Sequence, residues 1–483
     1  MHGSGTLDLS LISVPFVGIA QASQLNVTLG GADRVVLQDS SQVTVQFQAT
    51  DGIRINSVDV TNCSSVSIQS RSHLGYISIA DNPTVPFATG INVSSIGSLQ
   101  GLSSIASMAV LNVNAASIQG SVSVVSNSST RPSTTNTLTV LSHGSINGDV
   151  LIYGISNASL STYSIQGSLT IYHSPTAIAL TAFSNHIQGS LNVTSYACAD
   201  VSLQATTVEG NVSWTCSDTL TLPLVDIRGS LTVNARSVNA DLLHRVTGNI
   251  TSSNANWPLW SSASLNAVGG LVFHGRSDSQ TLLSLPMLSQ AGVLDFQVQG
   301  PAQINLAAQL VVGDLSVVLN SGHLSIFGTI NATGTVLISM LDSTDVLDWN
   351  LIQGGDTTIC DVIQTDASLD TLESVHNLTL GGCRDESQPI SPQNLRSLSV
   401  ILGTLRADMT NMSGYDFTMP GFPSLRSITQ GLCFTSRSSV SVDLSPLLKA
   451  SVSGTCYVQE TIHLTSACPC SEGCQHVTNT SCF

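Results

Sequence analysis

Charge is scarce in this sequence. Only 9% of its 483 residues are Asp, Glu, Lys or Arg, whereas about 25% is usual for a soluble domain. Lys449 is the single lysine, and the formal net charge is −16. A chain of this charge is a poor partner for nucleic acid or for an anionic membrane surface. Its surface must therefore consist largely of hydroxyl and amide groups.

Long apolar runs and helical patterns are also lacking. No uninterrupted apolar segment approaches the roughly 20 residues that a membrane-spanning helix needs. No convincing amphipathic helix is present, and no glycine-rich phosphate loop precedes one. The sequence therefore predicts no membrane span within this chain, no cofactor and no bound metal.

A regular glycine spacing takes the place of these features. Between Ile165 and Ile250 the motifs IQGSLTI, IQGSLNV, VEGNVSW, IRGSLTV and VTGNITS succeed one another. Their glycines are separated by 22, 21, 19 and 19 residues and lie at Gly167, Gly189, Gly210, Gly229 and Gly248. A repeat of about 20 residues is typical of a solenoid, and similar glycine steps continue in both directions along the chain.

Within each repeat the apolar residues alternate as they do in a strand. Ile187, Leu191 and Val193 lie at even offsets and so share one face. A second alternating run follows about ten residues later, and each turn has two short strands or three. The recurring glycine predicts a corner where turns approach closely. We therefore predict an all-β protein: a single elongated parallel β-solenoid of about twenty turns over 1–460, followed by a Cys-rich segment, 461–483.

The first 24 residues allow two interpretations. The apolar run Leu9 to Ala20 and the small residues around Ala20 and Ala22 are typical of a signal peptide. However, no basic residue precedes the run, and Gly5, Leu7 and Leu9 repeat the strand pattern. We favour a first solenoid turn, and we then expect a mature chain or a piece of a longer protein.

Twelve Asn-x-Ser/Thr motifs are present, and they predict N-glycosylation of a surface protein in the secretory pathway. Chance is the alternative, because serine and threonine are abundant here. The acceptor asparagines occur at many positions within the repeat: Asn26, Asn62, Asn92, Asn127, Asn157, Asn192, Asn211, Asn249, Asn331, Asn377, Asn411 and Asn479.

Eleven cysteines are typical of an oxidising compartment. Pairs that lie about one turn apart would lie one above the other in a solenoid, within reach of a disulfide. These pairs are Cys198 with Cys216, Cys360 with Cys383, and Cys433 with Cys456. The spacing suggests no bridge for Cys63, which is either a thiol or pairs outside this chain.

The end of the chain concentrates the other cysteines. Cys468, Cys470, Cys474 and Cys482 lie within fifteen residues. The favoured interpretation is a small disulfide knot that caps the solenoid or begins a stalk. The alternative is a zinc site of three cysteines with His476, although Cys-x-Cys matches the usual spacing of zinc ligands poorly.

Two segments share a further sequence pattern, which we call the repeat cadence. In 222–233, LPLVDIRGSLTV, and in 422–434, FPSLRSITQGLCF, an apolar-proline pair is followed by Leu or Val, Ile, Gly and an apolar strand. This cadence resembles receptor L-domain-like β-helix repeats, as found in fungal cell-wall surface glycoproteins and in growth-factor receptor ectodomains. The resemblance implies a right-handed parallel β-helix used in surface structure or recognition. It departs from that family in its many more repeats and its different cysteine spacing.

These features together predict an extracellular or cell-surface structural glycoprotein: a rigid repeat rod of a cell wall, coat or filamentous appendage. It would act through protein–protein contacts, and its partners would be other copies of itself or other surface glycoproteins, with N-linked glycans. A ligand-recognition or adhesion ectodomain of a membrane receptor is the second hypothesis.

A β-helix carbohydrate-active enzyme is the third hypothesis. Glycoside hydrolysis needs a pair of carboxylates that face one cleft. The nearest candidates are Asp342, Asp345 and Asp348, but their spacing puts neighbours on opposite strand faces and no basic residue is near. We therefore expect no catalytic site.

Overall fold

The computed structural model shows a parallel β-solenoid of about 17 turns. It describes residues 3–40, 42–48, 55–70, 74–80, 90–105, 110–125, 137–155, 157–172, 179–198, 201–204, 207–252, 259–276, 281–340, 346–360, 369–381, 395–409, 417–418, 422–437 and 439–477. No α-helix occurs among these residues. The chain forms two compact units, Met1–Arg236 and Ser237–Phe483.

The first unit consists of parallel strands that follow each other around the turns. In chain order its described strands, β1 to β24, are Gly3–Ala20, Ala22–Gln38, Gln42–Phe47, Ile55–Thr61, Ser65–Ser70, Leu74–Ala80, Gly90–Ile105, Val110–Ile118, Val122–Val125, Thr137–Ser142, Ser145–Ile146, Val150–Tyr153, Asn157–Ser161, Ser164–Ile165, Leu169–Tyr172, Ala179–Phe183, His186–Ile187, Leu191–Thr194, Val201–Gln204, Thr207–Val208, Val212–Thr215, Thr219–Thr221, Asp226–Ile227 and Leu231–Asn234.

Three strands make up one turn in the regular part of this unit. β13, β14 and β15 form one turn, and they pair in register with β16, β17 and β18 of the next. The sequence predicted two or three strands in each turn, and the structure has three in these turns. At the start of the unit, β1 pairs in parallel with β2, as the strand pattern around Leu7 and Leu9 predicts.

The core is a stack of apolar side chains from corresponding strands. Ile187, Leu191 and Val193 are each at most 1% exposed, which confirms that they share the inner face. Trp214 lies in register with Val193 in the next turn and is 1% exposed. Burying an aliphatic side chain stabilises the fold by about 1.5–3 kcal/mol relative to exposure, so each turn depends on its neighbours for shelter.

Glycine marks the corner between the second and third strand of these turns. The Gly189 N–H donates to the Gly167 carbonyl at 3.0 Å, and the Gly210 N–H donates to the Gly189 carbonyl at 3.1 Å. A Cβ added at Gly210 would lie 2.7 Å from the carbonyl carbon of Gly189. The backbones of successive corners are thus in direct contact, and glycine is needed because no side chain fits between them.

A disulfide links two turns of this unit. Cys198 and Cys216 are bonded, with their Cα atoms 5.1 Å apart, so the predicted pair is present. Cys63 is buried, and its sulfur lies 3.4 Å from the carbonyl oxygen of Thr61.

The second unit continues the same type of parallel pairing. Its described strands, β25 to β43, are Ser237–Asn239, Arg245–Ser252, Leu259–Ser261, Ala267–Arg276, Thr281–Ser284, Gln290–Ala332, Thr335–Met340, Val346–Cys360, Ser374–Gly381, Val400–Ile401, Thr404–Asp408, Phe417–Thr418, Ser427–Ile428, Gly431–Thr435, Val440–Asp443, Ser451–Val452, Thr455–Gln459, Ile462–Leu464 and Cys474–Val477. Short 3-10 helices lie at Leu369–Thr371 and Ser445–Leu447.

Trp260 of the second unit is 2% exposed in β27 and packs in the core. The turn count is slightly lower than the twenty expected from glycine spacing.

The Cys-rich segment does not break the solenoid pattern at Thr461. β42 pairs in parallel with β39, and β43 pairs in parallel with β41. Disulfides Cys456–Cys470 and Cys468–Cys474 cross-link this last described turn. Strands of this segment therefore continue the parallel pairing of the turns before it.

The predicted Cys433–Cys456 disulfide is wrong. The prediction assumed that Gly431 and Gly454 occupy equivalent positions, but Gly431 lies in register with Thr455. This offset of one residue places Cys456 beside Leu432 and Cys433 beside Tyr457. Because side chains alternate across a strand, the two sulfurs face different sides, and Cys456 bonds to Cys470 instead.

Cys360 and Cys433 are each disulfide-bonded. Cys383 and Cys482 lie outside the described residues, so the Cys360–Cys383 pair stays a prediction.

Candidate functional surface

The outward faces of the strands carry the acceptor asparagines. In each of the nine described motifs the central residue is buried. Where the motif lies along a strand, this puts the asparagine and the hydroxyl residue on the opposite, outward face, whereas Asn62 lies in a bend between β4 and β5. The buried central residues are Val27, Cys63, Val93, Ala158, Val193, Val212, Ile250, Ala332 and Leu378. With the exception of the Asn62 motif, the motif therefore follows the out–in–out period of a strand.

The nine described asparagines differ in exposure. Asn26, Asn92, Asn157, Asn192, Asn211 and Asn249 are exposed, and Asn62, Asn331 and Asn377 are half-buried. Asn127, Asn411 and Asn479 lie outside the described residues. Attachment of a sugar requires an accessible amide, so the exposed group contains the best candidate sites.

The residue after the corner glycine has a structural role of its own. The Ser190 N–H donates to the Ser168 Oγ at 3.1 Å, and the Ser230 N–H donates to the Asn211 Oδ1 at 2.9 Å. The small polar residue thus accepts a hydrogen bond from the backbone of the next turn. This interaction explains why Ser, Asn or Asp recurs after the glycine, which the sequence displayed but did not explain.

Asp314 makes the same bond in the second unit. Its Oδ1 accepts from the Thr335 hydroxyl at 2.7 Å and from the Thr335 N–H at 2.8 Å. These two bonds hold the pKa of the Asp314 carboxyl below its ordinary value.

Because the folded pKa of Asp314 is depressed, its ionised form contributes stability above the ordinary value of 3.8 and loses it as the pH falls through the folded pKa. We expect Asp314→Asn, which keeps the acceptor oxygen, to lower the unfolding free energy at neutral pH by less than about 1 kcal/mol. Urea unfolding at several pH values should show this difference vanish in acid. A difference that persists unchanged at low pH would contradict the assignment.

The carboxylates considered for catalysis are not assembled into a described cleft. Asp348 is exposed on an outward face in register with Ser325, while Asp342 and Asp345 lie outside the described residues. The Ser325 hydroxyl lies 3.1 Å from the His323 Nε2. In the described structure no hydrogen bond or ion pair joins Asp348 to His323, so the three side chains do not form a nucleophile–base–carboxylate relay. The spacing of these residues in the sequence could not have predicted that Ser325 and Asp348 lie side by side on neighbouring strands.

The cysteines of the alternative zinc site are cross-linked to one another. Cys468 is bonded to Cys474, and Cys470 is bonded to Cys456. Cys456, Cys468 and Cys470 bring their sulfurs within 4.8 Å of one another. A metal ion would bind these cysteines as thiolates. In the structure their sulfurs are instead oxidised to disulfides, which cross-link the last described turn.

A groove runs across the stacked corners of the second unit. It has a volume of about 480 Å³, and its floor contains the backbones of Gly269 and Gly292. Around it lie Arg245, Thr247 and Gln290, which offer hydrogen-bond donors, and the apolar Val311, which is 48% exposed. The sequence showed the glycines but not that the residues around them leave a concave surface. A register shift between Val246 and Asn249 lies beside it.

No helix within the described residues is long and apolar enough to span a membrane. Comparison with known proteins finds no matching family model, no similar curated protein and no similar solved structure.

Proposed function

We propose that this chain is an extracellular structural glycoprotein whose repeats form part of a cell wall, coat or filamentous surface appendage. It acts through protein–protein contacts with copies of itself or with other surface glycoproteins. The main support is the division between an apolar inner face and an outer face of hydroxyls, amides and exposed acceptor asparagines.

The disulfides support an oxidising environment. Cys198–Cys216 links two turns of the first unit, and Cys456–Cys470 and Cys468–Cys474 tie the last described turn of the second. Structural disulfides of this kind are rare in the reducing cytosol. An exported protein that must keep repeated turns in register benefits from such covalent links.

Ligand recognition by a receptor-like ectodomain is the second candidate. The groove over Gly269 and Gly292 favours it, because concave surfaces with a few convergent donors are typical of binding sites. The resemblance of the repeat cadence to L-domain repeats is consistent with this candidate as well.

Secretion from a eukaryotic host, followed by mapping of glycopeptides by mass spectrometry, tests the proposal. We expect sugars on most of the exposed asparagines, Asn26, Asn92, Asn157, Asn192, Asn211 and Asn249. Occupancy should be lower at the half-buried Asn62, Asn331 and Asn377. A folded, efficiently secreted protein without any N-linked sugar would refute the glycoprotein proposal.

Self-association separates the two candidates. Sedimentation of the secreted protein over a range of concentrations should reveal assemblies if the repeats act as structural contacts. A strictly monomeric protein that binds a soluble ligand would favour recognition instead.

A further inference from the structure

We propose that the N-linked glycan of Asn249 lies along the groove over Gly269 and Gly292 and is held there by protein contacts. This inference rests on the proposed glycosylation and adds where one particular sugar chain binds. The ligand is a neutral, hydroxyl-rich oligosaccharide that begins with an N-acetylated sugar and is attached covalently at the edge of its own binding site.

Asn249 stands at the start of a row that borders the groove. It is exposed, while the next residue, Ile250, is fully buried, so the amide faces outward. Asn249 lies in register with Gly270, and Gly270 lies in register with Val293. The row therefore passes from an acceptor amide, over a residue without a side chain, to an exposed valine.

Gly270 makes room for the acceptor amide itself. A Cβ at this position would meet the Oδ1 of Asn249 first, then its Cγ at 3.1 Å and the Cβ of Val293 at 3.7 Å. The Asn249 amide therefore lies directly against the backbone of the next turn, at the edge of the groove. Val293 is 39% exposed, and its apolar surface suits the apolar face of a sugar ring.

The groove begins two residues before Asn249, at Thr247, and takes lining residues from four successive turns. With strands about 4.8 Å apart, three steps between these turns span about 14 Å. Its floor at Gly269 and Gly292 is main chain, because a Cβ at Gly292 would meet the Gly269 carbonyl. The length and the open floor provide room for the first sugars of a chain that starts at its edge.

The polar groups of the groove match a neutral sugar. Arg245, Thr247 and Gln290 offer donors to hydroxyl and acetamide oxygens, and none of the described residues that line the groove is acidic. The exposed Val311 adds an apolar contact at the far end. Such a surface binds carbohydrate through a few hydrogen bonds together with apolar contact.

Asn192 offers a matched contrast in the first unit. It is also exposed, but its neighbours in register are Thr170 and Ser213, both of which carry side chains. A glycan at Asn192 meets no side-chain-free step of the kind that Gly270 provides. We therefore expect its sugar to extend into solvent.

The experiment measures removal of each glycan from the native secreted protein by peptide N-glycosidase in isotopically labelled water. Site-specific mass spectrometry follows the conversion of each asparagine to aspartate. We expect release from Asn249 about ten-fold slower than from Asn192, the factor that a small number of protein–sugar hydrogen bonds provides. After denaturation the two rates should become equal.

The variant Arg245→Ala should raise the release rate at Asn249 toward that of Asn192 without changing Asn192 itself. Arg236→Ala, which removes another exposed arginine, is the matched control and should alter neither rate. An Asn249 without sugar, or one released as fast as Asn192, would overturn the inference. Either result leaves the proposed function intact if the other exposed asparagines are glycosylated, whereas absence of sugar at every site refutes both.

Discussion

Gly210→Val is expected to lower the unfolding free energy of the first unit by about 3 kcal/mol or more, at the upper end of overpacking effects. The added Cβ would lie 2.7 Å from the carbonyl carbon and oxygen of Gly189 and 2.8 Å from the Ser190 nitrogen. All three atoms belong to the backbone of the preceding turn. These backbone atoms cannot move away from the added Cβ without breaking the hydrogen bond from the Gly210 N–H to the Gly189 carbonyl, which is 3.1 Å long.

Gly18→Val is the matched control for this prediction. Gly18 also lies in a strand, but a Cβ there would meet only the ring of Phe16, at 3.1 Å. Because Phe16 is 58% exposed, its ring can turn aside, and valine favours the strand conformation. Urea unfolding followed by circular dichroism should show a large shift of the midpoint for Gly210→Val alone. Equal shifts for both variants would mean that the corners are not in direct contact.

Removal of the Cys456–Cys470 disulfide by a double alanine substitution is expected to cost about 2–4 kcal/mol. This bond holds the last described turn, in which β43 pairs with β41 and Cys470 bridges to Val452. Without the bond the turn should open and expose β41, Thr455–Gln459, as an unpaired strand edge. Exposed edges pair with other chains, so we also expect aggregation.

The Cys468–Cys474 disulfide provides the comparison for that experiment. It closes a segment of only 6 residues within the last turn, whereas Cys456–Cys470 spans 14. A shorter loop loses less entropy on closure, so its removal should have the smaller effect. Thermal unfolding with simultaneous light scattering measures both variants. A larger loss or stronger aggregation without Cys468–Cys474 would contradict the assigned role.

The features that depend on local period were predictable from the sequence. The inner position of Ile187, Leu191 and Val193 follows from alternation, and the stacked corners follow from the recurrence of glycine. The disulfide Cys198–Cys216 follows from a separation of about one turn. Each of these inferences needs only the approximate length of a turn.

Features that depend on exact register were not predictable. The wrong Cys433–Cys456 pair arose from an offset of a single residue, since Gly431 aligns with Thr455. The proximity of His323, Ser325 and Asp348 requires the pairing of β30 with β32. The groove likewise depends on which residues of β26, β28 and β30 lie beside one another. A one-residue shift reverses which face a side chain occupies, and glycine spacing does not define the register so finely.

The most direct measurement introduces one cysteine at a time at Leu191, Asn192, Val193 and Thr194 and follows alkylation of each by mass spectrometry. Our interpretation predicts rapid labelling of the cysteines at 192 and 194 and protection at 191 and 193, because neighbouring turns cover only the inner face. Similar labelling rates at all four positions would show that the turns do not shelter one another, and would contradict the solenoid on which the proposed function depends.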